Sequence, residues 1–97
     1  MGAHQSVLNV PDLEGKRVLV AGGSSGIGRR TALAFDADGC SVAIIGRRME
    51  RLGAVAKLLK HGVPILADLT DEEDMKRAVQ EPIEKLGGLD ILVTRHV

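Results

Sequence analysis

The sequence predicts an α/β fold: a parallel sheet of four strands in the order 3-2-1-4, with helices on both faces. Three observations lead there. Four short, continuous apolar runs recur along the chain, the mark of strands buried on both faces. Segments with apolar residues at i, i+3 and i+4 lie between them, which is helical spacing. A glycine-rich turn, "GGSSGIG", joins the first run to the first helical segment. Strands alternating with helices make β-α-β units, whose crossovers are right-handed. The order places the first strand beside the second and the fourth, half of a doubly wound sheet plus the strand across its switch point.

Each element has a local reason. Residues 1–15 read as an irregular lead-in, broken by Pro11 and Gly15. Val18 to Ala21 form the first strand, bounded by Gly22. From Gly26 the period becomes helical: Ile27, Thr31 and Ala34, with Gly28, Ala32 and Phe35 beside them, make a stripe that Gly39 ends. Ser41 to Ile45 are the second strand. Met49, Leu52, Val55, Ala56 and Leu59 set the second helix, stopped at Gly62. Val63 to Ala67 are the third strand, and Pro64 puts it at a sheet edge, since proline cannot donate to a central ladder. Thr70 and Glu73 form a capping box for a third helix, whose stripe is Met75, Val79, Ile83 and Leu86. Pro82 should kink that helix, at a cost of roughly 3 kcal/mol unless locally relieved. Gly87-Gly88 then turn the chain into a fourth strand, Leu89 to Val93.

Composition narrows the function. A chain of 97 residues is one domain at most, burying about 60–65% of its unfolded surface, so its core is thin. Phe35 is the only aromatic, which removes base stacking as a route to single-stranded nucleic acid. Net charge is zero, so no basic field invites DNA. Cys40 is the lone cysteine and cannot pair internally, which suits a reducing, cytoplasmic setting. No apolar run approaches the ~20 residues of a transmembrane segment. Met1-Gly2-Ala3-His4-Gln5-Ser6 fits the short myristoylation pattern at Gly2, against which stands chance or an added terminus. His4, His61 and His96 lack metal-ligand spacing.

The glycine turn carries the chemistry. Gly22 permits a tight exit from the first strand, Gly26 lets backbone approach a pyrophosphate, and Gly28 lets the new helix pack on the sheet. The amides opening that helix, around Ile27, have no internal partner and favour an anion. Ser24 and Ser25 add hydroxyl donors. The competing reading is a loop whose glycines serve turning alone. The second strand ends in Gly46-Arg47-Arg48. An acid there would hold a ribose 2′-hydroxyl, whereas arginine accommodates a 2′-phosphate. The dinucleotide expected is therefore NADP(H) in preference to NAD(H); the alternative is that Arg47 and Arg48 merely solvate a helix start. Arg29 and Arg30 read as surface residues or secondary phosphate contacts. Asp68 and Leu69 follow the third strand, in the crevice where open α/β sheets bind ligands. Asp68 is placed either to hydrogen-bond an adenine amino group or to help cap the third helix. The cofactor-binding candidates are Gly22, Ser24, Ser25, Gly26, Ile27, Gly28, Arg47, Arg48, Asp68 and Leu69, with no catalytic or metal-binding residue among them.

These residues resemble the classical short-chain dehydrogenases/reductases. That family's T-G-x-x-x-G-x-G is matched by Ala21-Gly22-x-x-x-Gly26-x-Gly28, with alanine for threonine. "LEGKRVLV", "GRRMERL", "ADLTD" and "GGLDILV" are each similar to their counterparts, in order, over residues 13–93. The resemblance implies a Rossmann-like fold and hydride transfer between nicotinamide and a carbonyl or alcohol. It also implies an N-N-A-G after the fourth strand, where this sequence reads Thr94-Arg95-His96-Val97. The family's catalytic asparagine, serine, tyrosine and lysine all lie further on, so none is carried over.

The expectation is a partial dinucleotide-binding domain over 16–97: a truncated relative of an NADP(H)-dependent oxidoreductase that keeps the cofactor turn without the reaction centre. A different class of reading is a non-catalytic interaction protein. It would pair through its exposed fourth strand with a second copy or a full-length relative. The third is a fragment without independent function.

Overall fold

The computed structural model describes residues 13–22, 24, 26–68 and 70–94. Seven elements alternate along them: β1 (Arg17–Ala21), α1 (Gly26–Ala37), β2 (Ser41–Gly46), α2 (Met49–Ala56), β3 (Val63–Leu66), α3 (Glu72–Leu86) and β4 (Ile91–Val93). The strands form one parallel sheet in the order β3-β2-β1-β4. This Rossmann-like order is the one the apolar runs and their helical spacers predict.

Strand alternation divides the core in two. Val18 and Val20 of β1 and Val42 and Ile44 of β2 face α1 and α2, packing with Ala32, Leu52, Val55 and Leu59. Leu19, Ala43, Ile45 and Ile65 face the other way, against Ala78 of α3. Leu52 is fully buried, a contribution of about 1.5–3 kcal/mol by area removed from water. Arg17 closes the amino-terminal edge. Its backbone N–H and Nε donate to Asp90 Oδ2 at 2.8 and 2.9 Å, and another guanidinium nitrogen donates to the Gly87 carbonyl at 2.8 Å. Asp90 N–H returns a bond to the Arg17 carbonyl at 2.9 Å, so the β1–β4 junction is clamped from both sides.

The helices depart from their expected faces. In α1 the buried residues are Gly28, Ala32 and Asp36, and Ile27 is 62% exposed. Asp36 tolerates burial because its Oδ1 accepts the Lys60 N–H at 2.9 Å. That bond organises the segment after α2, which stops at Ala56 rather than running to Gly62. There Leu58 and Leu59 N–H groups bond carbonyls three residues back, and Leu59 still reaches the core. In α3 it is Ala78 and Pro82 that are buried; Met75 and Ile83 are 38% and 42% exposed. Small side chains let α3 approach the sheet closely, and larger ones flank the contact. The helix continues through Pro82 to Leu86.

The cap of α3 also differs from the expected Thr70–Glu73 box. Asp71 is the N-cap, its carboxylate accepting from Glu73 and Asp74 N–H groups. The Thr70 hydroxyl is instead donated to Asp68 Oδ1 at 2.6 Å. β4 is three residues long, shorter than the expected Leu89 to Val93. Pro64 lies in β3, which pairs with β2 alone, so its edge position is as read. Of the expected lead-in 1–15, only 13–15 fall among the described residues; Gly2 lies outside them.

Candidate functional site

The site begins where β1 turns into α1. Gly22 has φ +79° and donates its N–H to the Ile45 carbonyl at 2.8 Å, tying the turn to β2. Gly26 has φ +31° and opens α1. Apart from chain neighbours and the helix's own backbone, no atom of the described residues lies within 4 Å of where a Cβ would stand at either position. Backbone conformation calls for glycine at both positions. Gly28, the third residue of the helix, is buried, as close helix–sheet packing requires. The first turn of α1 holds no acidic residue, whereas that of α3 holds Glu72, Glu73 and Asp74. The positive end of the α1 dipole thus meets no carboxylate in its own first turn, whereas that of α3 is answered by three.

A cavity of about 420 Å³ adjoins this turn at the carboxyl ends of β1, β2 and β3. It is lined by Gly22, Ser24, Gly46, Arg47, Arg48, Arg51, Asp68 and Thr70, among others. Gly46 ends β2 in close quarters: a Cβ there would stand 3.0 Å from Ser24 Oγ and 3.0 Å from Leu52 Cδ2. Arg48 is the extended N-cap of α2 and makes no side-chain cap bond. Among the described residues, Arg47, Arg48 and Arg51 form no ion pair, although five other pairs hold Arg17, Lys76, Arg77 and Lys85. Three guanidinium groups without an ion pair among the described residues thus stand around one cavity, a chemistry that suits phosphate.

The one carboxylate lining the cavity is Asp68. Hydrogen bonds from the Thr70 hydroxyl and the Thr70 N–H hold it below the usual carboxylate range, with a smaller effect from the Arg47 charge. Its own N–H donates to Asp74 Oδ2 at 2.9 Å. Asp68 is therefore an ionised acceptor fixed in orientation. A second cavity continues past Arg47 and Asp68 toward Asp74 and Arg77. Arg77 is engaged there, donating to the Leu66 carbonyl and pairing with Asp74 and Glu81.

Of the residues expected from sequence, Gly22, Ser24, Arg47, Arg48 and Asp68 line the one cavity. Gly26, Ile27 and Gly28 open the helix beside it. Ser25 and Leu69 lie outside the described residues. Arg51 and Thr70 were not among the expected site residues, Thr70 being read as a helix cap alone. The signal for Arg51 was its spacing, three and four residues after Arg48 and Arg47, which is same-face spacing at a helix start. Cys40 takes no part: its thiol is buried and donates to the Leu13 carbonyl. Burial, then the charges of Asp38 and Asp36, raise its pKa.

The pattern of residues matches a known family. A family model described as short chain dehydrogenase matches residues 16–95. This chain belongs to the short chain dehydrogenase family. It is 45% identical over 85 residues to the glucose 1-dehydrogenase of Gluconobacter oxydans, a match covering 81% of this chain and 32% of that protein. A 3-ketoacyl-(acyl-carrier-protein) reductase from Brucella melitensis, solved with NADH, superposes with a TM-score of 0.79 at 34% identity, over 82% of this chain and 33% of that one. A short chain dehydrogenase from Burkholderia cenocepacia, solved with NADP, gives a TM-score of 0.80 at 42% identity, over 82% and 35%. The chain spans about a third of the length of these short chain dehydrogenase relatives. Among the described residues no helix is long and apolar enough to cross a membrane. No group of three or more His, Cys, Asp or Glu among them could hold a metal ion.

Proposed function

We propose that this chain is the cofactor-holding part of an NADP(H)-dependent short-chain oxidoreductase, binding NADP(H) in preference to NAD(H). The observation that carries the reading is the cavity at the end of β2. Glycine stands there at position 46, and Arg47 and Arg48 flank it without ion-pair partners among the described residues. In this reading the amides of the Gly22–Gly28 turn and the α1 dipole hold the pyrophosphate, with the Ser24 and Ser25 hydroxyls assisting. Arg47 and Arg48 receive the 2′-phosphate. Asp68, kept ionised by Thr70, accepts from the adenine amino group, and Leu69, next in sequence, is a further cofactor-binding candidate. The bound nicotinamide supplies hydride chemistry toward a carbonyl or alcohol. This chain's own residues bind and orient the ADP half, and residues 16–97 act as that partial domain. A reducing, cytoplasmic setting goes with the free, buried Cys40.

The test is a thermal melt of the purified chain titrated with NADPH and, separately, NADH. A midpoint that rises with NADPH and much less with NADH is expected, since a ligand bound only by the folded state stabilises it by mass action. A cooperative melt indifferent to both dinucleotides would remove the reading.

A second reading rests on a different observation. β4 pairs only with β1, and Leu92 on it is 51% exposed on the α3 side of the sheet. Such an edge recruits another strand, from a second copy or a full-length relative. Sedimentation of the chain alone and mixed with a full-length relative decides this: a monomer in both removes it.

A further inference from the structure

We infer that Arg51 is a specificity-determining residue of this site, a third guanidinium that meets the 2′-phosphate of NADP(H). The inference rests on the cofactor reading above and extends it to a residue outside the glycine turn and the β2 end. Arg51 lies in the first turn of α2 and lines the same cavity as Ser24, Gly46, Arg47 and Arg48. Its place is fixed by its neighbour. Leu52 is fully buried in the core, and its N–H bonds the Arg48 carbonyl at 3.0 Å. With Leu52 locked against the sheet, the preceding residue is held at the cavity side of the helix.

Charge assigns the role. A phosphate monoester carries about −1.5 to −2 at pH 7. Arg47 shares the cavity with the carboxylate of Asp68. Arg48 and Arg51 have no carboxylate within ion-pair distance among the described residues, and Glu50 does not line this cavity. With Asp68 also in the lining, Arg47 and Arg48 alone leave a net of one positive charge to meet the dianion, and Arg51 raises it to two. The long arginine stem also allows the reach, since the guanidinium is presented from an exposed helix surface.

The test uses the ADP half of the ligand in two forms. Adenosine 2′,5′-bisphosphate carries the discriminating phosphate and adenosine 5′-monophosphate lacks it. Dissociation constants are measured by calorimetry for the wild-type chain, Arg51→Ala and Arg51→Lys. The wild-type chain prefers the bisphosphate. Arg51→Ala weakens bisphosphate binding about tenfold, the scale of one lost charge-assisted contact, and leaves the monophosphate within about twofold. Arg51→Lys recovers part of the loss, because it keeps charge without the planar fork. Equal effects on both ligands, or none, would overturn the inference. A wild-type chain without preference for the bisphosphate would instead overturn the cofactor reading on which it stands.

Discussion

Replacing Gly46 by aspartate probes the site from the opposite direction. The substitution adds two things, a Cβ and a charge. The Cβ would stand 3.0 Å from Leu52 Cδ2 and 3.0 Å from Ser24 Oγ, with Leu52 Cγ at 3.3 Å. Ser24 can rotate its hydroxyl away. Leu52 is fully buried and has little room, so the steric cost falls on the core. Overpacking of this size costs about 1 kcal/mol, at the low end of its usual range. For a domain of this length that lowers the melting midpoint by about 4–8 °C. The charge acts on the ligand. A carboxylate about 4 Å from the 2′-phosphate is repelled by about 1 kcal/mol in bulk water, and by about 4 kcal/mol at the effective dielectric of a protein surface. Each 1.4 kcal/mol or so is tenfold in affinity, so NADPH binding falls by about tenfold or more. The same carboxylate is placed to accept from a ribose 2′-hydroxyl, so NADH binding holds or improves. Gly46→Ala carries the steric cost without the charge. Calorimetric titration of both variants with NADPH and NADH, after a melt of each free chain, separates the two effects. If Gly46→Asp kept the NADPH preference of Gly46→Ala, the assignment of this strand end to the 2′ position would be refuted.

Other consequences follow from the ion pair and the cap. Arg17 holds Asp90 at a pKa of about 2, chiefly by its side-chain and backbone hydrogen bonds, against an ordinary value of 3.8. A folded pKa below the unfolded one gives stability that is present above pH 3.8 and is lost as pH falls through about 2. Melting midpoints of wild type and Asp90→Asn should therefore differ at neutral pH, wild type being the more stable, and converge between about pH 4 and 2. Asp71→Ala removes the two N–H acceptor bonds of the α3 cap and should cost about 1 kcal/mol in urea unfolding at unchanged slope. Thr70→Ala should cost less, and it should raise the Asp68 pKa by removing the hydroxyl that holds it down, read by carboxyl NMR titration.

The sheet was legible because its strands are buried on both faces. Val18 to Ala21 and Ser41 to Ile45 are unbroken apolar runs, and no helix face of this chain looks like that. Their order followed from parallel crossovers and from the glycine turn, which marks the switch point. The helix faces were less legible because periodicity ranks residues by hydrophobicity, and packing here selects by size. Ala78 and Pro82 contact the sheet while Met75 and Ile83 stand at the flank. Asp36 was invisible for another reason. A buried carboxylate is acceptable only when a donor arrives from elsewhere, and its donor is the Lys60 N–H, 24 residues away. At the site, what the structure shows of the reading is placement: Gly22, Ser24 and the Gly46-Arg47-Arg48 end of β2 line one cavity, because the glycine turn and the β2 end meet at the carboxyl edge of the sheet. The Asp71 cap was missed because Thr70 and Glu73 fit a capping pattern, whereas the Thr70 hydroxyl is given to Asp68. Arg51 was missed because same-face spacing from Arg47 and Arg48 is common among surface arginines and gains meaning only from the cavity beside it.

The most direct measurement is a map of backbone amide shifts on adding NADPH to nitrogen-labelled chain. Saturable perturbations should concentrate at Gly22, Ser24, Gly26 and Ile27 in the turn, at Gly46 and Arg47 after β2, and at Asp68 after β3. Shifts centred instead on β4 and the exposed flank of α3, or none that saturate, would contradict a dinucleotide held at the carboxyl ends of these strands.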